Sequence, residues 1–434
     1  MDNLMIGYLS LLGIGVAIYA GVHVAIALAG ISFLGIWALT GQAALGFNFV
    51  ALAGTESIAA YTFGVVPLFV LMGLAVSESG LGRDTFAIIA RSMRDWRGGL
   101  GVATVLSNAV FAAITGISIA SAAVFSKVAV PQMVNAGTKR SIAVGTVAGS
   151  SVLGMLIPPS LLLILFAILT DSSVGDLFLG GVGPGVLMAL MFGLYLTFLG
   201  RFRPHLFEGP TTMGGADDTT PRVLMLPILG LAALVLGGIY TGFFTPTEAG
   251  AVGAAAALIL AFAMRRIGPR EAWRIAVQTG HITAAVCFLI VGASIYSRML
   301  AFSGVPASVT QWAIASGIGA LGFLFLFSLI VALLGTILDS SSIMLVTVPL
   351  AFPITQQLGI DVVHFGLVTV IAVEIGLLTP PLGLSVFVVQ AALRSEGVAL
   401  GEVFRGAAPF ALIMVGVLCA VILIPQIATG LVGL

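Results

Sequence analysis

Charged side chains are scarce in this sequence. Its 434 residues include 17 basic and 17 acidic ones, which is 8% in all, whereas about 25% is usual in soluble proteins. Hydrophobic residues make up 59% and the mean hydropathy is +1.20. This composition excludes a soluble globular protein, and the zero net charge argues against a nucleic-acid partner, which would need a concentrated basic surface. The sequence therefore predicts an integral membrane protein.

Several motifs that carry enzyme chemistry are also missing. The two cysteines, Cys287 and Cys419, lie in apolar runs without metal-ligand spacing, so we interpret them as buried bystanders and expect no transition-metal site. The sequence has neither a Gly-x-x-x-x-Gly-Lys-Ser/Thr phosphate loop nor a His-Glu-x-x-His motif. We therefore expect no enzyme activity, no cofactor and no use of ATP within this chain.

Apolar runs long enough to cross a membrane recur along the chain. A crossing helix needs about 20 apolar residues, and the first run lacks the basic start of a cleavable signal peptide. We predict an all-α membrane protein with ten spans, near residues 4–20, 23–40, 58–77, 141–170, 177–200, 223–240, 246–265, 279–301, 362–393 and 403–431.

Two apolar stretches do not fit single spans. Residues 100–135 and 317–357 are each too long, and small polar residues interrupt each of them near its middle. Exposed backbone at membrane depth is tolerated where protein or a watery cavity surrounds it. We therefore predict two re-entrant helical hairpins.

The basic residues predict how the chain is oriented. Cytoplasmic loops concentrate Lys and Arg, and 16 of the 17 basic residues fall on one side of the predicted topology, with Arg298 alone on the other. Both termini are then external. The first hairpin enters from the cytoplasm and the second from outside.

The sequence also contains an internal repeat. Shifting the chain by 222 residues places Gly154, Pro158 and Pro159 on Gly376, Pro380 and Pro381, and it superposes the two predicted hairpins. We divide the chain into a first repeat (1–200), a cytoplasmic linker (201–222) and a second repeat (223–434). The repeats contain broken helices at 141–170 and 362–393. Because five spans separate the hairpins, the repeats are inverted, which is typical of secondary transporters.

Each Pro-Pro pair lies in mid-span, where proline frees preceding carbonyl groups that then need a cation or water. Hydroxyl and carbonyl oxygens near each hairpin tip would suit an alkali cation. The first candidate sodium site comprises Thr115, Gly116, Ser118, Gly149, Ser150, Ser151 and Gly154. The second comprises Asp339, Ser340, Ser341, Gly376, Thr379, Pro380 and Gly383. The alternative is a proline kink whose carbonyls are satisfied by nearby Ser and Thr.

The hairpin tips are also candidates for binding an anion. A helix N-terminus carries partial positive charge and free N–H groups, so two converging tips would favour a carboxylate. The candidate substrate contacts are Thr115, Ser118, Ser340, Pro158 and Pro381. A positive clamp would have to come from Arg298, Lys127 or backbone amides.

Two acidic residues lie where charge is costly. Asp339 at the second tip is predicted to be functional because intramembrane carboxylates are expensive, although a solvated loop-end charge is the alternative. Glu374 is expected to be paired with a base, and an ion-ligand or protonatable role is the alternative. For Glu56 and Glu248, which lie near external span ends, we expect a solvated or helix-capping role.

Several motifs together resemble the large, DctM-like membrane subunit of the tripartite ATP-independent periplasmic (TRAP) transporters. The run Glu374–Gly383 is similar to that family's second broken helix, and Gly359–Gly366 to the segment entering it. Thr245–Ala249 resembles the turn between its sixth and seventh spans, and Phe111–Ser118 its first hairpin tip. The resemblance covers essentially the whole chain.

The resemblance implies a sodium-coupled elevator transporter that imports an organic acid, such as a dicarboxylate or sugar acid, across the bacterial inner membrane. In such a membrane the orientation predicted from the basic residues makes both termini periplasmic. It implies two protein partners, a small four-span membrane subunit and a periplasmic substrate-binding protein, besides membrane lipid. Where the family usually has Ser at the tip, this chain has Ile117, which offers no side-chain oxygen. A stand-alone anion carrier of the same architecture is the alternative, and a non-transporting scaffold is a more distant one.

Overall fold

The structure is a computed structural model that describes residues 2–59, 61–208 and 221–432, and these residues fold into α-helices joined by short turns. The α-helices in chain order are α1 (Asn3–Tyr19), α2 (Val24–Thr40), α3 (Ala43–Ala59), α4 (Val65–Glu78), α5 (Leu81–Met93), α6 (Gly99–Thr115), α7 (Ser118–Asn135), α8 (Arg140–Ser151), α9 (Leu153–Leu156), α10 (Leu161–Thr170), α11 (Val174–Phe202), α12 (Met225–Tyr240), α13 (Pro246–Ala263), α14 (Pro269–Ser303), α15 (Val305–Ala315), α16 (Ala320–Gly335), α17 (Ser340–Gln357), α18 (Val362–Leu378), α19 (Leu384–Ala392), α20 (Leu400–Leu423) and α21 (Gln426–Thr429).

The predicted all-α membrane architecture is confirmed. Six helical segments in the described residues are long and apolar enough to cross a membrane, and α4 with α5, bent by 60°, would add a seventh. Several other apolar helices, among them α1, α2 and α18, are 17 residues long. The predicted number of ten spans stays a prediction.

Three predicted spans had wrong boundaries. The span at 58–77 begins at Val65, where Pro67 fits the first turn of α4. A separate helix, α3, precedes it and was missed because Asn48, Thr55 and Glu56 make its sequence look too polar for a span. Residue 60, between them, lies outside the described residues.

The other two errors are at helix ends. The predicted span 279–301 is part of the 35-residue α14, which starts at Pro269 and is capped by a hydrogen bond from the Gly268 amide to Glu271, 2.9 Å long. The predicted span 403–431 ends at Leu423, and Pro425 follows, which has no N–H for a continuing helix. Of the predicted linker 201–222, residues 209–220 lie outside the described residues.

Both interrupted stretches form helix pairs. The first hairpin is α6 and α7, joined by Gly116 and Ile117 alone, and the second is α16 and α17, joined by residues 336–339. The first broken helix is α8 to α10 and the second is α18 and α19; residues 157–160 and 379–383 interrupt them. The hairpin shape is therefore confirmed, and its re-entrance into a membrane stays a prediction.

Helix boundaries recur at the offset found in the sequence. Helix α7 (118–135) shifted by 222 residues coincides with α17 (340–357), and the ends of α10 and α19 likewise correspond. The start of α1 corresponds to the start of α12, and that of α2 to that of α13. The two repeats therefore share a helix plan as well as a sequence pattern.

The hairpins and broken helices are interlaced. Helix α7 packs against α19, and α17 packs against α10, so each hairpin contacts the broken helix of the other repeat. Helix α8 crosses α20 with Gly145 directly against Gly406, where a Cβ atom on either glycine would clash with the other helix. A second group of helices consists of α2, α4, α13 and α14. Helices α2 and α4 pack against the long helix α14, and α13 packs against α4. The candidate site is thus built from both repeats.

Candidate functional site

The first hairpin tip lies directly on the break of the first broken helix. The Gly116 carbonyl accepts a hydrogen bond from the Leu161 amide at 3.2 Å. Gly116 has a φ of +63°, and a Cβ atom there would lie 2.5 Å from the Pro159 carbonyl oxygen, so both the turn and the close approach require glycine. A Cβ on Gly154 would lie 3.0 Å from the backbone nitrogen of Ser118. The structure therefore brings Gly116, Ser118 and Gly154 together, as predicted.

Most hydroxyl groups predicted for the first site are used within their own helices. Thr115 donates to the Phe111 carbonyl (2.9 Å), Ser150 to Thr146 (2.7 Å) and Ser151 to Ala148 (2.8 Å). The Ser118 hydroxyl is the exception, since it is fully buried and has no hydrogen-bond partner among the described residues. Ser118 is therefore the predicted hydroxyl that remains available to a ligand.

Three buried polar residues near this site were not predicted from the sequence. Asn108 on α6 donates from Nδ2 to the Ser150 hydroxyl at 2.6 Å, while its Oδ1 atom has no partner in the part of the chain that the structure describes. The hydroxyls of Ser121, one turn after Ser118, and Thr146, one turn before Ser150, are also buried and unpartnered among the described residues. An amide inside an apolar run is a recognisable signal, because polar groups in membrane helices are costly.

Helix α11 covers the first break. A Cβ on Gly181 would lie 2.9 Å from the Leu156 carbonyl oxygen and 3.1 Å from the Pro158 ring. Two small residues, Gly181 and Gly185, let the helix approach this closely. Pro158 and Pro159 are buried as a result.

The second tip makes a similar backbone contact in a more open setting. The Thr336 carbonyl accepts from the Leu382 amide at 3.1 Å. Behind this contact, Gly376 lies against Gly335, and a Cβ on Gly376 would lie 2.7 Å from the Ala332 carbonyl oxygen. In contrast to the first break, Pro380 and Pro381 are exposed.

The polar groups of the second tip serve mainly as helix caps. Asp339 is exposed and caps α17: its carboxylate accepts from the Ser342 amide at 3.1 Å and from the Ser342 hydroxyl. Thr379 donates to the Ile375 carbonyl at 2.7 Å, and its amide donates to the Gly376 carbonyl. Ser340 is 6% exposed and begins α17 beside this cap.

Two further predicted ligands, Gly149 and Gly383, face helix α20. Gly149 packs against the ring of Phe410 on α20, and Gly383 packs against Phe404 of the same helix. Both glycines let α20 approach the broken helices closely. Gly383 also directly follows Leu382, whose amide bonds the second hairpin tip.

Glu374 is buried without a partner. Its side chain is on α18 and the residue is 1% exposed, yet neither carboxylate oxygen has a hydrogen-bond partner in the described residues. The expectation that a base would pair with it was wrong. At the equivalent position of the first repeat the chain has Val152, which is also 1% exposed, so packing alone does not demand an acid here.

Two cavities lie between the helices of the hairpins and the group around α14. The inner cavity, of about 600 Å³, reaches Ile117 at the first tip and is lined by Ser77, Glu78, Arg83, Lys127 and Gln278. The outer cavity, of about 520 Å³, is lined by Glu56, Asp171, Ser297, Arg298 and Pro349. Lys127 and Gln278 occupy the repeat positions of Pro349 and Glu56, so the cavities are related by the same offset. Only the inner one reaches a hairpin tip.

Three ion pairs in the described residues contain arginines that the predicted topology places on the cytoplasmic face. Arg266 pairs with Asp84 at 2.8 Å, Arg274 with Glu78 at 2.6 Å and Arg140 with Glu402 at 3.0 Å. On the predicted external face, Arg298 pairs with Glu56. The second external acid, Glu248, caps α13 by accepting from the Thr245 amide at 2.8 Å, as expected. The Glu56 side chain is 52% exposed, as a solvated role requires, and it also forms this ion pair.

Two relatives align in sequence with most of this chain. It is 33% identical over 372 residues to the C4-dicarboxylate TRAP transporter large permease protein DctM of Pseudomonas aeruginosa, with 86% of each protein covered. It is 27% identical over 422 residues to the isethionate TRAP transporter permease protein DctMQ of Oleidesulfovibrio alaskensis, covering 96% of this chain and 65% of that one.

This chain also resembles a solved transporter structure and matches a family model. The YdaH transporter of Alcanivorax borkumensis has a similar fold, with a TM-score of 0.63, 17% identity and 89% of each chain covered. The model of the DctM component of the tripartite ATP-independent periplasmic transporters matches residues 11–427. This chain therefore belongs to the DctM family and is a multi-pass large permease subunit of a bacterial TRAP transporter.

Proposed function

We propose that this subunit carries a small organic acid across the bacterial inner membrane, driven by a sodium gradient. The observation that supports this most directly is the pair of tip contacts, Gly116 with Leu161 and Thr336 with Leu382. Hairpin tips that meet broken helices at two repeat-related places are typical of transporters with inverted repeats and a midplane site. The names of the two relatives, for a C4-dicarboxylate and for isethionate, favour a small anion.

We propose that sodium ions are co-transported at the two tips. At the first tip, Ser118 has a buried hydroxyl without a partner in the described residues, and its backbone lies against Gly154. At the second, the carboxylate of Asp339 and the start of α17 at Ser340 and Ser341 supply oxygen atoms. Hard oxygen ligands suit a cation of this type.

An elevator motion would move the hairpins and broken helices as one body. Their interlaced packing supports this. Because α7 packs against α19 and α17 against α10, a hairpin that moved separately would lose its contacts with the other repeat's broken helix. The group around α14 would be the static part. Cavities at repeat-related positions along the boundary would then alternate in size during transport.

The proposed partners are a small four-span membrane subunit and a periplasmic substrate-binding protein. The family name describes a tripartite system, and the relative named DctMQ is longer than this chain, which spans 65% of its length. Both termini of this chain would face the periplasm.

Uptake by purified protein in proteoliposomes tests this proposal. We expect vesicles that contain this chain, the small subunit and the binding protein to accumulate succinate when external sodium exceeds internal sodium. Replacing sodium by potassium should abolish accumulation, and vesicles without the large subunit are the control.

The same vesicles separate the alternatives. Uptake that persists with potassium would contradict sodium coupling. Uptake by this chain alone, without either partner, would favour a stand-alone carrier. Absence of uptake for succinate and for isethionate would contradict the proposed substrate class.

A further inference from the structure

The inner cavity contains an excess of positive charge. Glu78 lines it but accepts from Arg274 at 2.6 Å, and the neighbouring Asp84 is paired with Arg266 at 2.8 Å. Lys127 and Arg83 also line the cavity, and neither has a carboxylate within ion-pair distance in the described part of the chain. Asp84 also interacts with Arg83, but its closer partner is Arg266. The two acids at this cavity therefore do not balance all four of these cations. Such a charge balance attracts anions.

The outer cavity lacks this excess. Its cation, Arg298, is paired with Glu56 across α14 and α3. The position equivalent to Lys127 is Pro349, which carries no charge. The positive character is thus particular to the cavity that reaches the first hairpin tip.

Lys127 is well placed to act together with that tip. It lies ten residues after Ile117, the tip residue that precedes α7 and lines the same cavity, which corresponds to about 15 Å along the helix axis. Helical side chains lean toward the helix N-terminus, so the four-carbon stem of Lys127 leans toward the tip and shortens this gap.

Lys127 also belongs to the hairpin rather than to the group around α14. A ligand bound to it would stay in contact if the hairpin moved relative to α14. Arg83 is on α5, which packs against both α6 and α7. Arg298, the other candidate clamp, is on α14 and already has a partner.

We propose that Lys127 and Arg83 form a carboxylate-binding subsite of the inner cavity, with Lys127 as the principal contact. Ile117 at the tip then packs against the hydrocarbon part of the ligand, which accounts for an apolar residue at that position. The ligand class is a small organic acid with two anionic ends or with one anionic and one polar end. This inference rests on the proposed function and assigns the positive clamp that the hairpin tips lack.

Binding of succinate and of its mono-amide, succinamate, to purified variants tests this subsite. We expect the wild-type chain to bind succinate more tightly, and Lys127→Gln to weaken succinate binding by about tenfold or more, since hydrogen bonds to charged groups contribute about 1.5–3 kcal/mol. The variant should lose the preference for succinate over succinamate. Lys127→Arg should retain both affinity and preference.

Two further variants complete the design. Arg83→Gln is expected to weaken succinate binding less than Lys127→Gln does. Lys139→Gln is the matched control, because Lys139 is an exposed cation at the start of α8, on the same predicted face and outside the cavity. It should bind succinate as the wild type does.

The outcomes separate the subsite from the function. Unchanged succinate binding by both Lys127→Gln and Arg83→Gln would overturn the subsite while leaving the transporter assignment intact. An equal loss in Lys139→Gln would also overturn it, because the effect would then reflect general surface charge. If the wild-type chain neither binds nor transports succinate, the proposed substrate class fails, and the subsite fails with it.

Discussion

The two junctions between hairpin tip and broken helix share a backbone contact and differ in their side chains. At both, a tip carbonyl accepts from an amide just after the Pro-Pro pair, at 3.2 Å in the first and 3.1 Å in the second. The first is covered by α11 and surrounded by buried hydroxyl and amide groups. The second is open at Pro380 and Pro381 and has carboxylates nearby.

Four polar positions illustrate the divergence. Asn108, Ser121, Thr146 and Ser150 of the first repeat correspond to Ile330, Ile343, Val368 and Ala372 of the second. In the opposite direction, Val152 corresponds to Glu374. The repeat therefore preserves the positions at which the backbones meet to within two residues, while the side chains around these contacts differ.

Substitutions at Glu374 and at the equivalent position, Val152, should change the free energy of unfolding in opposite directions. We expect this to be the largest difference between the repeats. Val152→Glu buries a carboxylate where the residue is 1% exposed, and we expect a loss of about 3–5 kcal/mol in the free energy of unfolding. Glu374→Val removes an unpartnered acid and should raise it by about 1–3 kcal/mol. Thermal unfolding of detergent-purified protein measures both, and a destabilised Glu374→Val variant would contradict this account.

Alanine substitutions of the two glycines behind the tips should lower stability by different amounts, and the glycine with the closer contact should show the larger loss. Gly376→Ala places a Cβ against the backbone of α16, where it would lie 2.7 Å from the Ala332 oxygen, and it must force α16 and α18 apart. We expect a cost of about 2–3 kcal/mol, as for overpacked cores. Gly154→Ala meets Ser118 at 3.0 Å and should cost less. Equal unfolding midpoints for the two variants would show that the second junction accommodates the added Cβ atom as readily as the first, and would contradict this expectation.

The tip glycine should be required in the first hairpin only. Gly116→Ala imposes a left-handed conformation on alanine, which costs about 1–2 kcal/mol, besides the approach to Pro159. We expect lower stability and loss of succinate uptake. The matched variant is Leu338→Ala at the equivalent position of the second tip, which should keep uptake. Normal uptake by Gly116→Ala would show that the tip contact is dispensable.

Substitutions of Asp339 should separate its capping role from a role in cation binding. Asp339→Asn retains a good N-cap residue, whereas Asp339→Ala removes the contact with Ser342 and should cost about 1 kcal/mol. We expect sodium-dependent uptake to be lost in both variants and stability to fall only in Asp339→Ala. Sodium-dependent uptake that stays normal in Asp339→Asn would restrict this carboxylate to capping.

Much of the fold followed from the sequence because the membrane restricts the choices. Long apolar runs predicted the helices, and polar interruptions predicted both hairpins, since an unpaired backbone is costly in lipid. The sequence failed where helices were polar, as in α3, or extended past the apolar run, as in α14. In those places capping, as at Gly268, and contacts with other helices determine the boundaries.

The candidate site was predicted less completely than the fold. The tip residues Gly116 and Ser118 and their partner Gly154 were identified, because a constant offset marks them. Asn108 and Thr146 were missed, since single polar residues in an apolar run give no sign of which helix they face. The predicted pairing of Glu374 was wrong for the same reason.

The sequence by itself determined that this is a helical membrane protein with a duplicated plan of hairpins and proline-broken helices, because hydropathy, proline and glycine act through local backbone chemistry. Only the tertiary structure decided which break is covered and, among the residues it describes, which hydroxyls lack partners and which cations of the inner cavity lack an ion pair. Those properties depend on contacts between residues far apart in the chain, such as Gly181 with Pro158 and Glu78 with Arg274. No local pattern encodes them.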